Sequence, residues 1–113
     1  MVAPTAGTVV LVPFPFSDLS RAKLRPALVL ADAGRGDWIL CQITSKAYAD
    51  PRAVTLTDND FRVGSLRATS YARPGKLFTA NRELMVAEVG ILTDDAFRRV
   101  LDAVLDLFSS HAP

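Results

Sequence analysis

Short apolar runs separated by polar segments dominate the first part of the chain. Residues 9–12 are rich in β-branched side chains and predict a first strand. Residues 27–30 are continuously apolar, which is typical of a strand that is buried on both faces. Residues 38–44 predict a third strand, and the glycines within residues 32–36 predict the turn before it. Together these runs predict an antiparallel meander.

Two prolines are expected to end the first strand. Pro13 and Pro15 lack the N–H group that a strand donates to its neighbours. We therefore predict a loop over residues 13–24. A loop of about a dozen residues is long for a small domain, and such loops are often functional.

The second half of the chain continues with short strand patterns. Four further strands are predicted, at residues 53–56, 66–73, 76–79 and 88–92. The polar run at residues 57–60 closes the first of them. Pro74 and Gly75 predict a turn between the second and the third.

The last part of the chain predicts an amphipathic helix. Thr93 is a good N-cap, and the carboxylates of Asp94 and Asp95 suit the positive end of a helix dipole. Apolar side chains recur at three- and four-residue spacing at Phe97, Leu101, Val104, Leu105 and Phe108. Charged residues at 95 and 99, and at 98 and 102, have the i,i+4 spacing of weak ion pairs.

Many short strands followed by one terminal helix predict a mainly β fold. We expect a single domain over residues 1–113, built as a small, strongly curved sheet or barrel of the SH3-like kind, with antiparallel strands and a C-terminal helix. Half of the residues are hydrophobic and 22% are charged, as in an ordinary folded domain. No apolar run is long enough to cross a membrane, and the N-terminus does not resemble a secretory signal. We therefore expect a cytoplasmic protein without membrane association.

The reactive side chains argue against several classes of enzyme. The chain has no zinc-ligand spacing, P-loop or dinucleotide-binding fingerprint. Its one histidine, His111, lies near the end of the chain, where a catalytic base is not expected. Cys41 lies within a predicted strand and is interpreted as a buried residue rather than a nucleophile. The carboxylates form no metal-like pattern, so we predict no metal site and no cofactor.

The charges are distributed unevenly along the chain. The formal net charge is only +1, but residues 46–82 hold seven basic against three acidic side chains. Residues 83–113 hold six acidic against two basic ones. A basic middle can form a site for a polyanion or a set of solvated strand edges, and the charge pattern alone leaves both open.

Cationic and hydroxyl side chains gather at the predicted strand ends. These residues are Arg25, Thr44, Ser45, Lys46, Arg67, Ser70, Arg73 and Lys76. Such groups on adjacent strands can hold a phosphodiester and stabilise the charge that develops on it during cleavage. Taken alone, Arg25 could instead form a surface ion pair, and the Thr44 hydroxyl could bond to the backbone.

Five segments, in order, resemble the PemK/MazF toxins of bacterial type II toxin–antitoxin systems. They are residues 7–16, 24–30, 41–45, 70–79 and 89–93. The resemblance implies an SH3-like barrel with a terminal helix, usually as a homodimer. It also implies a metal-independent endoribonuclease that cuts single-stranded RNA at short sequences and is neutralised by a cognate antitoxin.

The resemblance assigns catalysis to two residues. Arg25 matches the arginine of the family's Arg-Pro strand, and Thr44 matches the threonine that ends the third strand. Ser45 and Ser70 are weaker candidates for supporting contacts. Some members use a histidine in the first loop and an arginine–aspartate pair on a later strand. This chain has no histidine in residues 17–24 and no such pair in residues 68–70, so no general base is assigned.

The remaining candidates would bind RNA. Lys46, Arg67, Arg73 and Lys76 would follow the phosphate backbone. Phe14, Phe16 and Tyr71 could stack on bases, although core packing is the alternative for at least one phenylalanine.

Two other functions remain open for the predicted fold. A non-nuclease toxin could act on a protein target, as the related CcdB toxins act on DNA gyrase, or the chain could be an SH3-like binding module without toxicity. The presence of both Arg25 and Thr44 favours the nuclease.

Overall fold

The computed structural model describes residues 4–15, 22–47 and 50–111. Seven strands and one α-helix occur within these ranges. The strands are β1 Thr8–Pro15, β2 Ala22–Gly34, β3 Asp37–Thr44, β4 Val54–Leu56, β5 Phe61–Gly64, β6 Ser70–Asn81 and β7 Ala87–Leu92. The helix α1 spans Asp94–Ser109, and short 3₁₀ turns span Asp58–Asp60 and Arg82–Leu84.

All of the strands form one curled antiparallel sheet. Their order across the sheet is β4-β6-β3-β2-β1-β7-β5. The predicted meander is confirmed, because β2 pairs with β1 on one side and with β3 on the other. The mainly β fold with a C-terminal helix is therefore also confirmed.

The sheet carries an apolar cluster on each face, because successive side chains of a strand point to opposite sides. We call the side covered by α1 the helix face; its cluster includes Val9, Leu28, Ile43, Leu56 and helix residues. The other side, here called the second face, has its own cluster. Its buried members are Val10, Val12, Ala27, Val29, Leu40, Ala80 and Met85. Residues 27–30 are all buried, which confirms a strand covered on both sides.

The prediction that prolines end the first strand is wrong. β1 continues to Pro15, with Pro13 opposite Leu24 and Pro15 opposite Ala22. Beyond Leu11, the pairings of β1 involve β2 alone. A proline is tolerated in such a strand because its missing N–H can face the unpaired side. The predicted loop is thus shorter than expected at both ends, and residues 16–21 lie outside the described ranges.

The predicted turn at Pro74 and Gly75 is also wrong. One continuous strand, β6, runs through both residues. Between the pairs Ile43–Ala72 and Cys41–Leu77, four residues of β6 lie opposite a single residue of β3. The proline and glycine therefore form a bulge, which interrupts the ladder without reversing the chain.

The strand prediction for residues 61–69 is wrong. The strand predicted over residues 66–73 begins only at Ser70, and β5 at Phe61–Gly64 is not predicted at all. β5 is a short edge strand on β7. Gly64 has a φ of +73°, and a Cβ there would collide with the Val89 carbonyl oxygen, so glycine is required at this contact.

The helix begins as predicted but is rotated about its axis. Thr93 Oγ1 accepts a hydrogen bond from Ala96 N at 3.1 Å, which confirms the N-cap. The two predicted ion pairs are present, with N–O distances of 3.1 and 3.3 Å. Of the predicted stripe, Val104 is buried and Phe97 packs against the helix-face cluster, whereas Leu105 and Phe108 are 50% and 62% exposed. The other buried helix residues are Ala96 and Val100, so the buried stripe is displaced from the predicted one.

Candidate active site

Arg25 and Thr44 lie on the second face of the sheet. Arg25 in β2 is directly opposite Val12 in β1, and Val12 belongs to the cluster of that face. Thr44 in β3 follows Leu40 of the same cluster by four residues, so strand alternation places it on the same side.

The register of the ladder places the two residues at the same end of the sheet. β2 and β3 pair Ala27 with Gln42. This is the pair nearest that end of the β2–β3 ladder, and continuing its antiparallel register for two residues would set Arg25 against Thr44. Arg25 and Thr44 therefore lie on the same face and at the same end of the sheet, just beyond the last β2–β3 pair.

The Thr44 hydroxyl is oriented by the chain that follows it. Its Oγ1 accepts a hydrogen bond from Lys46 N at 3.2 Å. A hydroxyl that accepts through its oxygen can still donate its proton, here to an anionic ligand. Thr44 can therefore act as a donor with a restricted orientation.

Polar side chains continue this row across the sheet. Tyr71 of β6 is opposite Thr44 on one side and opposite Thr55 of β4 on the other. Directly opposite side chains share a face of the sheet. The Tyr71 side chain is half-buried, so it is partly exposed on the second face next to Thr44 in the row.

A second guanidinium lies near the same row. Arg73 Nη1 donates a hydrogen bond to Gln42 Oε1 at 2.9 Å. Gln42 is opposite Ala27 and two residues before Thr44, so it lies on the second face. The face thus holds two arginines, one from β2 and one from the bulge of β6.

An aromatic pair, formed by Phe14 of β1 and Phe78 of β6, lies on the second face, as Arg25 of β2 does. The rings of Phe14 and Phe78 meet edge to face with centroids 5.1 Å apart, and Lys76 Nζ lies 5.8 Å from the Phe14 centroid. A cleft of about 290 Å³ opens beside them. It is lined by Val12, Pro13, Phe14, Phe78, Thr79, Ala80 and Leu84. Because Val12 is the cross-strand neighbour of Arg25, this apolar cleft adjoins the candidate site.

Phe78 was missed by the sequence analysis. Phe78 is far from Phe14 along the chain, so no local pattern indicates their contact. Phe78 is two residues before the buried Ala80 in β6, and strand alternation therefore places both side chains on the second face. Phe16, which the sequence analysis groups with Phe14, lies outside the described residues.

Ser70 is not brought to this site. It is opposite Leu56, a member of the helix-face cluster, and is only 5% exposed. Its hydroxyl donates to the Ala68 carbonyl at 3.1 Å. Since the helix face is the reverse side of the sheet from Arg25 and Thr44, Ser70 is left out of the site.

The remaining predicted residues lie in two places. Ser45 and Lys46 are exposed and directly follow Thr44. Arg67 lies farther away, where its backbone N–H donates to Ser65 Oγ at 2.7 Å. It lines a polar cleft of about 400 Å³ together with Thr57, Asp58, Asn59, Ala68 and Thr69.

The described ranges contain no group of three or more histidine, cysteine, aspartate or glutamate side chains that could hold a metal ion. In the same ranges, no helix has the length and apolar character needed to span a membrane. Cys41 is buried, and this burial raises the pKa of its thiol to about 12. The 0% exposure of Cys41 confirms the prediction of a buried residue, and the raised pKa keeps its thiol protonated at neutral pH.

Comparison with known families gives a match over most of the chain. The model of the PemK-like, MazF-like toxin of type II toxin–antitoxin system matches residues 5–108. No curated protein sequence matches the chain.

Solved structures share the fold along nearly the whole length. A mycobacterial endoribonuclease in complex with its cognate antitoxin has a TM-score of 0.74 at 16% identity, with 100% of both chains covered. A MazE–MazF crystal structure from Deinococcus radiodurans has a TM-score of 0.76 at 23% identity, covering 96% of this chain and 98% of that one. The Mycobacterium tuberculosis toxin MazF-mt6 has a TM-score of 0.65 at 16% identity, with 88% and 96% covered. At these identities the likeness shows the fold.

Proposed function

Because this chain belongs to the PemK-like, MazF-like toxin family of type II toxin–antitoxin systems, we propose that it is an endoribonuclease toxin that cleaves single-stranded RNA. The observation that carries the proposal is that Arg25 and Thr44 share the second face, each two residues beyond the Ala27–Gln42 pair. The likeness in fold to a mycobacterial endoribonuclease supports it.

The proposed reaction uses the substrate's own nucleophile. The 2′-hydroxyl of the RNA attacks the adjacent phosphorus, a 2′-oxygen–phosphorus bond forms, and the bond to the 5′-oxygen breaks. The 2′-hydroxyl gives its proton to solvent water as it attacks, and the departing 5′-oxygen takes up a proton from solvent. The products are a 2′,3′-cyclic phosphate and a 5′-hydroxyl. The attack needs no metal-activated water, so we propose a metal-independent reaction.

Arg25 and Thr44 would stabilise the transition state. The Arg25 guanidinium would hold the phosphoryl oxygens as negative charge develops on them, and Thr44 would donate a hydrogen bond to one of these oxygens. Arginine stays protonated at accessible pH and is not proposed as the base. Ser45, directly after Thr44, remains a candidate for a supporting contact.

The surrounding residues would bind the RNA strand. Lys46, Arg73 and Lys76 would contact phosphates, with Arg67 farther along the strand. Tyr71 and the Phe14–Phe78 pair would contact bases, which single-stranded RNA exposes. Contacts to bases would make the cleavage sequence-specific.

We further propose that the substrate is cytoplasmic mRNA and that a cognate antitoxin neutralises the toxin, which acts as a homodimer. Family membership supports the antitoxin and the dimer. The fold shared with MazE–MazF of Deinococcus radiodurans supports a protein partner of this kind.

Cleavage of a mixed-sequence single-stranded RNA in EDTA tests the proposal. We expect the purified protein to leave 2′,3′-cyclic phosphate and 5′-hydroxyl ends. Arg25→Ala should lower the rate by about a hundredfold or more, since it removes a charged donor to the transition state. Thr44→Val, which keeps the side-chain shape, should also lower the rate.

Retention of the wild-type circular dichroism spectrum is the control for folding in both variants. Full activity of Arg25→Ala would reject the assigned site, and loss of all cutting in EDTA would reject the metal-independent reaction. Induced expression separates the proposed toxin from a gyrase poison, because the former depletes mRNA and the latter damages DNA while mRNA persists.

A further inference from the structure

Asp50 is a buried carboxylate that takes no part in the proposed cleavage. It is only 8% exposed. Its Oδ1 accepts a hydrogen bond from Arg52 N at 2.8 Å, and its Oδ2 accepts one from Gly75 N at 3.1 Å. The Asp50 carboxylate thereby connects residues 50–52 to the bulge of β6.

The same carboxylate lies next to a residue of the proposed RNA-binding face. Arg73 Nε is 4.0 Å from Asp50 Oδ2. The Arg73 side chain is 25% exposed, and a partly buried charge is less costly with an opposite charge nearby. Arg73 Nη1 also donates a hydrogen bond to Gln42 Oε1 at 2.9 Å. The contact with Asp50 is an ion pair beyond hydrogen-bonding distance, so the guanidinium lies between the Asp50 carboxylate and the Gln42 amide.

The bulge explains how Arg73 reaches this position. Residues 73–76 of β6 lie opposite Gln42 alone, so their backbone groups cannot all join the ladder with β3. The N–H of Gly75 is satisfied by Asp50, and the Arg73 carbonyl accepts a weak hydrogen bond from Cys41 Sγ at 3.1 Å. A Cβ on Gly75 would meet Asp50 Oδ2 at 3.2 Å, so the two residues are closely fitted.

We propose that Asp50 is a positioning residue for RNA binding, which acts by holding the Arg73 guanidinium at the second face. Asp50 itself does not touch the RNA. An arginine restrained by a hydrogen bond and a neighbouring carboxylate presents its donors to a phosphate in a more fixed geometry, and less conformational entropy is lost when the RNA binds. This inference rests on the proposed function, in which Arg73 contacts a phosphate.

A double-mutant cycle tests the proposal. Binding is measured for wild type, Asp50→Asn, Arg73→Gln and the double variant, with a single-stranded 2′-O-methyl RNA that cannot be cleaved through its 2′-oxygens. We expect each single variant to bind about five- to tenfold more weakly. Each should also reduce the slope of log affinity against log salt by about 0.7, the value for one lost phosphate contact on a single strand. The double variant should bind no more weakly than Arg73→Gln, because Asp50 acts through Arg73.

Two further readouts separate positioning from a loss of structure. In cleavage of ordinary RNA, Asp50→Asn should raise KM more than it lowers kcat. Asp37→Asn is the matched control, since Asp37 is also partly buried and accepts a hydrogen bond from Asn81 Nδ2 at 3.1 Å, at the other end of β3. It should bind RNA as wild type does.

Arg73→Lys keeps the proposal testable if Asp50→Asn fails to fold. Lysine preserves the charge but lacks the planar group that the hydrogen bond and the neighbouring carboxylate restrain. We expect Arg73→Lys to bind nearly as weakly as Arg73→Gln. Wild-type affinity of Arg73→Lys would show that charge alone matters and would overturn the proposal.

The remaining outcomes distinguish this inference from the proposed function. Additive effects of Asp50→Asn and Arg73→Gln, or an unchanged salt slope in Asp50→Asn, would overturn the positioning role while RNA binding stands. A wild-type protein that binds no single-stranded RNA would overturn both.

Discussion

The Cys41 side chain shows how one buried residue joins the two faces of the sheet. It belongs to the helix-face cluster, yet its Sγ donates to the carbonyl of Arg73, whose guanidinium reaches the second face. Desolvation by burial raises the pKa of the thiol to about 12. The hydrogen bond to the Arg73 carbonyl acts in the opposite direction and is the smaller effect.

This burial predicts how stability depends on pH. An unfolded cysteine loses its proton near pH 8.5, whereas the folded thiol keeps it up to about pH 12. Between these values the unfolded state binds fewer protons, so the free energy of unfolding should fall by up to about 1.4 kcal/mol per pH unit. Urea unfolding at several alkaline pH values measures the slope. Cys41→Ala should remove this contribution, and an equal slope in both proteins would contradict the assignment.

At the scale of strands and helices, sequence patterns predict that an apolar strand or helix exists better than they predict where it begins and ends. Residues 38–44 and the Thr93 cap carry local signals, and both are confirmed. Pro13, Pro15 and Pro74 carry equally local signals, and all three lie inside strands. Whether a proline ends a strand depends on which side of it is paired, and that is set by residues distant in the chain.

The candidate site was accessible from the sequence only in part. Family resemblance selects Arg25 and Thr44, but their common face depends on the register of β2 and β3. The contact between Asp50 and Arg73 has no local signal, because it requires the bulge of β6. Ser70 shows the opposite error, since a hydroxyl near the motif points to the other face.

The rotation of α1 gives a prediction at the same scale. Val100 is fully buried on the helix face, whereas Leu105 is half exposed. Val100→Ala should lower the free energy of unfolding by about 1–3 kcal/mol, because it removes buried methyl groups and leaves a cavity. Leu105→Ala should change it by less than about 1 kcal/mol. Thermal unfolding of the two variants measures the difference. A larger loss of unfolding free energy in Leu105→Ala would show that the apolar stripe predicted from the sequence is the buried side of the helix.

The fold places cations of the basic middle segment and the acidic tail of the chain on opposite sides of the sheet. Arg73 and Lys76, from the basic middle segment, lie with Arg25 at the second face. The acidic tail forms α1, on the helix face. There Arg98 pairs with Asp102, and Arg99 pairs with Asp95 and with Asp60. The arginines of the helix are therefore neutralised locally, whereas the second face can present an excess of positive charge despite the net charge of +1.

This two-sided charge predicts which cations contribute to RNA binding. Lys76→Gln should weaken binding of single-stranded RNA and reduce the salt slope by about 0.7, as expected for one phosphate contact. Arg98→Gln removes the same formal charge from α1, on the other side of the molecule. It should leave the affinity within about twofold and the slope unchanged, because α1 lies on the side of the sheet opposite the proposed RNA-binding face. Titrations of 2′-O-methyl RNA at several salt concentrations measure both quantities. Equal slopes for the two variants would mean that RNA responds to the total charge of the protein, and the second face would then have no special part in binding.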